Sequence, residues 1–70
     1  MERYGVFKRL PNGLPLWVCP SNDFTEAKTK MLESAIKTGH EHFIHDFVLW
    51  KTVANSREDL MDVGHRTKET

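Results

Sequence analysis

The sequence has little of the material that small domains use to reinforce a fold. One cysteine in seventy residues excludes an intramolecular disulfide and a cysteine-rich zinc fold. Ten basic and ten acidic side chains cancel, so the chain lacks the long-range field of a protein that binds phosphate backbones or anionic membranes. A single domain of this length buries a small share of its surface, which leaves packing, self-association or histidine-bound metal to stabilise it.

Several functional signatures are also missing. No apolar run approaches the length of a membrane span, and the charged N-terminal residues precede no secretory apolar stretch. The sequence has no glycine-rich phosphate loop, no nucleophile elbow and no acid/base pair of carboxylates, and Cys19 lacks the local features of a nucleophile. We therefore expect a cytoplasmic protein that does not associate with membranes, is not an enzyme and needs no cofactor.

The N-terminal third predicts a β-hairpin. Residues 3–10 alternate with the period of a strand, and residues 14–19 are rich in strand-forming side chains. Pro11, Asn12 and Gly13 between them favour a three-residue hairpin loop. Pro15 cannot donate an amide hydrogen bond, so the second strand is expected at an edge of the sheet.

Residues 20–39 predict the main helix. Asp23 and Glu26 have capping-box spacing, and Thr38 with Gly39 forms a C-terminal stop. Charged side chains occupy the opposite side of the helix, which indicates that one face packs. The apolar stripe expected on that face consists of Phe24, Ala27, Met31, Leu32, Ala35 and Ile36.

Residues 41–54 fit a strand and a helix alike. We favour a strand because the segment is rich in aromatic and β-branched residues, and because a two-stranded hairpin is a poor platform for a helix. The resulting fold is α+β, with the order β-β-α-β, a three-stranded antiparallel sheet in the order 2-1-3, and the main helix on one face.

The C-terminal residues predict a short second helix at 57–63. Ser56 and Asp59 have capping-box spacing, and Gly64 is a stop signal. We expect residues 1–64 to form a single small domain and the polar residues 65–70 to form a disordered tail.

Three histidines lie close together at positions 40, 42 and 45. Side chains two apart on a strand share a face, so His40 and His42 are weak candidates for a metal site, whereas His45 would point to the opposite face. No acidic residue completes the spacing of a known metal-binding helix. The sequence therefore predicts no metal site, and histidine-bound metal remains the third hypothesis for function.

The distribution of apolar residues over the two sheet faces is the strongest functional signal. If Val6, Leu16 and Val18 face the helix, then Phe7 and Trp17 face away from it, although the free face of a lone sheet should be polar. An exposed apolar patch marks an interface, in which tryptophan and phenylalanine are favoured. The alternative is that Leu60, Met61 and Val63 of the C-terminal segment cover this face.

We therefore predict a small non-enzymatic interaction or accessory module that forms a homodimer or binds another protein through an apolar sheet face. The residues expected at the interface are Phe7, Trp17, Phe47 and Trp50. The alternative is a nucleic-acid-binding module that uses Lys8, Arg9 and Trp17, which combine cations with an aromatic side chain for base stacking. The zero net charge weighs against this alternative.

Overall fold

The first two strands form the predicted hairpin. In the computed structural model, which describes residues 2–60, β1 (Tyr4–Arg9) pairs antiparallel with β2 (Pro15–Ser21). Gly13 closes the loop with a φ of 88°, and its amide donates to the Leu10 carbonyl at 2.8 Å. Glycine adopts this left-handed conformation without steric cost, which is why the Pro-Asn-Gly sequence predicted the loop correctly.

The second strand lies at an edge of the sheet, as the proline in it requires. Pro15 starts β2, and β1 is the only neighbour of β2 in the described sheet. A bulge leaves Val18 without a partner on β1. Cys19 consequently packs against the core, whereas Leu16 and Val18, which the alternation would place there, are exposed.

The main helix, α1 (Phe24–Thr38), begins and ends at the predicted caps. The Asp23 carboxylate accepts the Glu26 amide hydrogen at 3.1 Å, and Gly39 terminates the helix with a φ of 75°. The capping box is incomplete, because the Glu26 carboxylate accepts a hydrogen bond from the Ser21 hydroxyl at 3.2 Å instead of reaching back to the cap residue.

The core lies between α1 and one face of the sheet. Its fully buried centre consists of Val6, Ala27, Met31 and Ile44. Around it pack Tyr4, Cys19, Phe24, Leu32, Val53 and Ala54. The predicted apolar stripe of α1 is therefore correct except for Ile36, which is 70% exposed.

Residues 41–54 form neither a single strand nor a helix. The segment contains β3 (His42–Asp46), a four-residue turn at 47–50, and most of β4 (Lys51–Asn55), which pairs antiparallel with β3. The prediction of one continuous strand is wrong because the chain reverses at Phe47.

Within the described residues, the sheet has four antiparallel strands in the order β2-β1-β3-β4. The α+β class and the position of the first three strands were predicted correctly. The three-strand count was wrong, because β4 adds to the free edge of β3.

A second helix starts where the sequence predicts one, with a different cap. Residues 56–60 are helical, and the Asn55 side chain accepts the Arg57 amide hydrogen at 2.8 Å. The predicted cap, Ser56, instead accepts a hydrogen bond from the His42 amide. Four further predictions lie outside the described residues: helical positions 61–63, the stop at Gly64, the domain boundary at 64 and the disordered tail at 65–70. No helix among residues 2–60 is long and apolar enough to cross a membrane.

Candidate interaction surface

The sheet face opposite α1 carries a continuous layer of aromatic rings. We call this surface the aromatic face, and its members are Phe7, Trp17, Phe43, His45, Phe47 and Trp50. Phe7 and Phe43 stack across β1 and β3 with centroids 5.3 Å apart, and the rings of Trp17 and Phe7 meet nearly perpendicular at the same centroid distance. Aromatic pairs at these distances stabilise a fold by more than the burial of their apolar area alone.

Phe47 is the centre of the aromatic face. Its ring centroid lies 5.1 to 6.4 Å from those of Phe7, Trp17, His45 and Trp50. The turn at 47–50 therefore adds its aromatic side chains to the layer that the strands carry.

Gly5 makes room for the two rings at the centre of this layer. A Cβ atom on Gly5 would lie 2.7 Å from Trp17 Cζ3 and 2.9 Å from Phe47 Cε2. Carbon atoms pack best at about 3.5 to 4.0 Å, so a side chain at this position would force both rings away from the sheet. The absence of a side chain at Gly5 is thus a requirement of the aromatic face.

A buried carboxylate holds the turn that presents Phe47 and Trp50. Asp46 is 1% exposed, and its Oδ1 accepts the amide hydrogens of Val48 at 2.8 Å and Leu49 at 3.0 Å. The Arg3 guanidinium donates to the same carboxylate at 3.0 to 3.3 Å. The hydrogen bonds from Arg3 have the largest effect on this carboxylate. Together with those from the two amides, they outweigh the effect of burial and hold the pKa of Asp46 below its ordinary value.

Trp50 completes the chain reversal in a left-handed conformation. Its φ of 54° is uncommon for a residue other than glycine. Its side chain is 75% exposed, and the ring lies 5.4 Å from His45. An exposed tryptophan on a strained turn contributes little to the core, and this arrangement is typical of a residue that serves a function outside it.

Two open grooves flank Phe47 on the aromatic face. One, of about 300 Å³, is lined by Glu2, Trp17, Pro20 and Phe47, and the other, of about 260 Å³, by Phe7, Pro15, Phe43, His45, Phe47 and Trp50. These volumes lie at or below the lower limit of about 300 Å³ for small-molecule pockets. Their size suits single side chains of a protein partner better than a cofactor.

The four predicted interface residues Phe7, Trp17, Phe47 and Trp50 share this face. Their role in an interface remains a prediction. Sequence reasoning missed Phe43 and His45 as members of the face, although both alternate correctly along β3. Three C-terminal residues were suggested as a cover for the aromatic face. Leu60 lies near Ala35 and Ile36 of α1 instead, and Met61 and Val63 lie outside the described residues.

The predicted nucleic-acid residues do not form one surface. Arg9 and Trp17 lie on the aromatic face, where the guanidinium carbon of Arg9 is 4.6 Å from the centroid of Phe43. Lys8 pairs with the buried His42 and alternates to the other side of the sheet. Glu41 lies beside Arg9, with 3.8 Å between its carboxylate and the Arg9 Nε atom, and reduces the positive charge there.

His40, His42 and His45 do not converge on a metal site. His42 is 1% exposed, and its Nδ1 donates to the His40 carbonyl at 2.9 Å, while the His40 side chain is exposed. His45 belongs to the aromatic face. Across residues 2–60, no group of three histidine, cysteine, aspartate or glutamate side chains has the spacing to hold a metal ion.

The predicted interface residues therefore meet on the aromatic face, with Glu2 at one end and Arg9 at the other. Comparison with protein-family models, with curated proteins and with solved structures finds no match to this chain. The functional proposal accordingly depends on the chemistry of this surface.

Proposed function

We propose that this protein is a small non-enzymatic interaction module that self-associates through its aromatic face. The observation that carries the proposal is the exposure of two tryptophans on one contiguous aromatic surface, Trp17 at 50% and Trp50 at 75%. Tryptophan is enriched among the residues that dominate binding energy at protein interfaces. A contiguous apolar patch on a small domain is otherwise an aggregation hazard.

The size of the aromatic face supports a protein partner. With about 250 Å² for a whole tryptophan side chain, the two indoles together expose roughly 300 Å². The half-buried rings of Phe7, His45 and Phe47 raise the apolar area to roughly 400 Å². A standard interface buries about 800 Å² per partner, of which somewhat more than half is apolar, so the face is close to the apolar share of one interface.

The test is sedimentation velocity of the wild-type chain and two variants between about 1 and 300 μM. Trp50→Asn removes the most exposed ring and keeps a residue type that tolerates a positive φ. We expect the wild type to form dimers, and the variant to have a dissociation constant at least about tenfold higher, as for loss of a dominant interface residue.

Ile36→Asn is the matched control. Ile36 is 70% exposed on α1, on the other side of the molecule, and its replacement should leave the dissociation constant unchanged. A wild-type chain that stays monomeric up to 300 μM, or equal effects of the two substitutions, would refute self-association through the aromatic face.

Nucleic-acid binding is the competing proposal, and it has less support. Arg9 and Trp17 share a face, but Glu2 and Glu41 lie near them. Titration with single-stranded and duplex oligonucleotides at low salt distinguishes the two proposals. Binding that weakens steeply with salt would favour the nucleic-acid proposal, because phosphate contacts release counterions.

A further inference from the structure

Opposite charges mark the two ends of the aromatic face. Glu2 precedes β1 and lines the groove formed with Trp17, while Arg9 ends β1 with its guanidinium over the ring of Phe43. They lie seven positions apart in the chain, which along an extended strand corresponds to about 23 Å. The face thus carries a carboxylate at one end and a guanidinium, whose charge Glu41 partly offsets, at the other, with aromatic rings between them.

We propose, on the basis of the self-association proposed above, that two copies stack aromatic face to aromatic face about a two-fold axis perpendicular to β1. In this arrangement the two β1 strands run antiparallel, and Glu2 of each copy meets Arg9 of the other. A two-fold interface brings one patch against itself, so each such contact occurs twice.

The charges select this arrangement over the other face-to-face dimer. A two-fold axis parallel to β1 would bring the two Glu2 side chains together at one end and the two Arg9 side chains together at the other. Like charges placed opposite each other across an interface are unfavourable and suppress the wrong register. The perpendicular axis converts both repulsions into ion pairs.

Both side chains are free enough to make the contact. Glu2 forms no ion pair within residues 2–60. Arg9 donates from Nη1 to the Gly13 carbonyl at 3.2 Å, and its Nε lies 3.8 Å from the carboxylate of Glu41, which is beyond hydrogen-bond length. A guanidinium has five N–H donors, so donors remain for a second carboxylate, although Glu41 competes for the charge.

Charge reversal tests the arrangement directly. Glu2→Lys and Arg9→Glu each replace both intermolecular ion pairs by repulsions, and we expect each variant alone to dimerise at least fivefold more weakly than the wild type. An equimolar mixture of the two variants restores both pairs in the mixed dimer. We expect its dissociation constant, measured by fluorescence anisotropy with one variant labelled, to lie within twofold of the wild-type value.

Lys8→Glu is the matched control, since Lys8 neighbours Arg9 in sequence but lies on the other side of the sheet. It should neither weaken the dimer nor rescue Glu2→Lys. Circular dichroism of every variant checks that the fold persists, and 0.5 M salt should abolish the rescue because it screens exposed charges.

The outcomes separate this inference from the proposed function. If the wild type dimerises and Trp50→Asn weakens the dimer, but the mixture gives no rescue, the two-fold arrangement is wrong and self-association through the face stands. If the wild type does not dimerise, both proposals fail. Rescue in the mixture, with no rescue by the Lys8 variant, supports the antiparallel stack.

Discussion

Replacing Gly5 with alanine tests whether the aromatic face requires a position without a side chain. The new methyl group would meet Trp17 Cζ3 at 2.7 Å and two atoms of Phe47 at 2.9 Å. Both rings are partly exposed and can retreat toward solvent, which keeps the cost within the usual range of about 1 to 3 kcal/mol for overpacking. Alanine also restricts the unfolded chain, which returns about 0.4 to 1 kcal/mol.

The expected net loss in the free energy of unfolding is therefore about 1.3 kcal/mol, within a range of about 0 to 2.6 kcal/mol. Urea unfolding at low micromolar concentration measures this loss apart from any effect on association. Displacement of the Trp17 ring should also shift the tryptophan emission of the folded state to longer wavelength. The same substitution in a Phe47→Ala background should cost less, because two of the three close contacts are gone.

Gly13→Ala provides the contrast. Nothing lies within 4 Å of a Cβ at Gly13, but its φ of 88° makes alanine unfavourable by about 1 to 2 kcal/mol. This loss should leave the folded-state emission unchanged. If Gly5→Ala is as stable as the wild type with unaltered emission, or if its cost is the same with and without the Phe47 ring, then Gly5 does not serve the packing assigned to it.

Three further predictions concern polar contacts. The pKa of Asp46 is lowered in the folded state, so the stability that the carboxylate contributes is complete above its unfolded pKa of 3.8 and is lost as the pH falls through the lower folded pKa. Asp46→Asn should therefore flatten the decline of the melting temperature in acid. An unchanged pH profile would contradict the role of Arg3 in lowering this pKa. Ser56→Ala should lower the free energy of unfolding in urea by about 1 to 3 kcal/mol, because the buried His42 amide loses its hydrogen-bond acceptor at 2.8 Å. A smaller loss would indicate that another group accepts this amide hydrogen. Added zinc or chelator should leave the melting temperature unchanged, whereas an increase with zinc would revive a metal site at His40 and His42.

Local chemistry predicted the first half of the fold well. The α1 helix begins at Asp23 and ends before Gly39, and the first hairpin closes at Gly13, because each of these residues acts on backbone groups within a few positions along the chain. The aromatic character of the free sheet face was likewise evident, since Phe7 alternates with the core residue Val6 along β1 and Trp17 lies opposite Phe7 on β2.

The second hairpin could not be predicted in the same way. Its turn consists of Phe47, Val48, Leu49 and Trp50, which have neither glycine nor proline and which favour strand by composition. Asp46 was the available local signal, because aspartate often accepts amide hydrogens of the following turn. That signal was masked by the apolar residues around it, and so the fourth strand was missed.

The sequence by itself determined the α+β class, the caps of α1 and the first hairpin, because these depend on local propensities and on contacts between near neighbours. It also showed which aromatic residues were available to the free face. The tertiary structure decided the fourth strand and the assembly of the aromatic face. Arg3 fixes the Asp46 carboxylate from 43 positions away, and Gly5 leaves space for two rings that come from β2 and from the turn after β3. Contacts at such separations exist only once the strands are paired, so no local pattern encodes them.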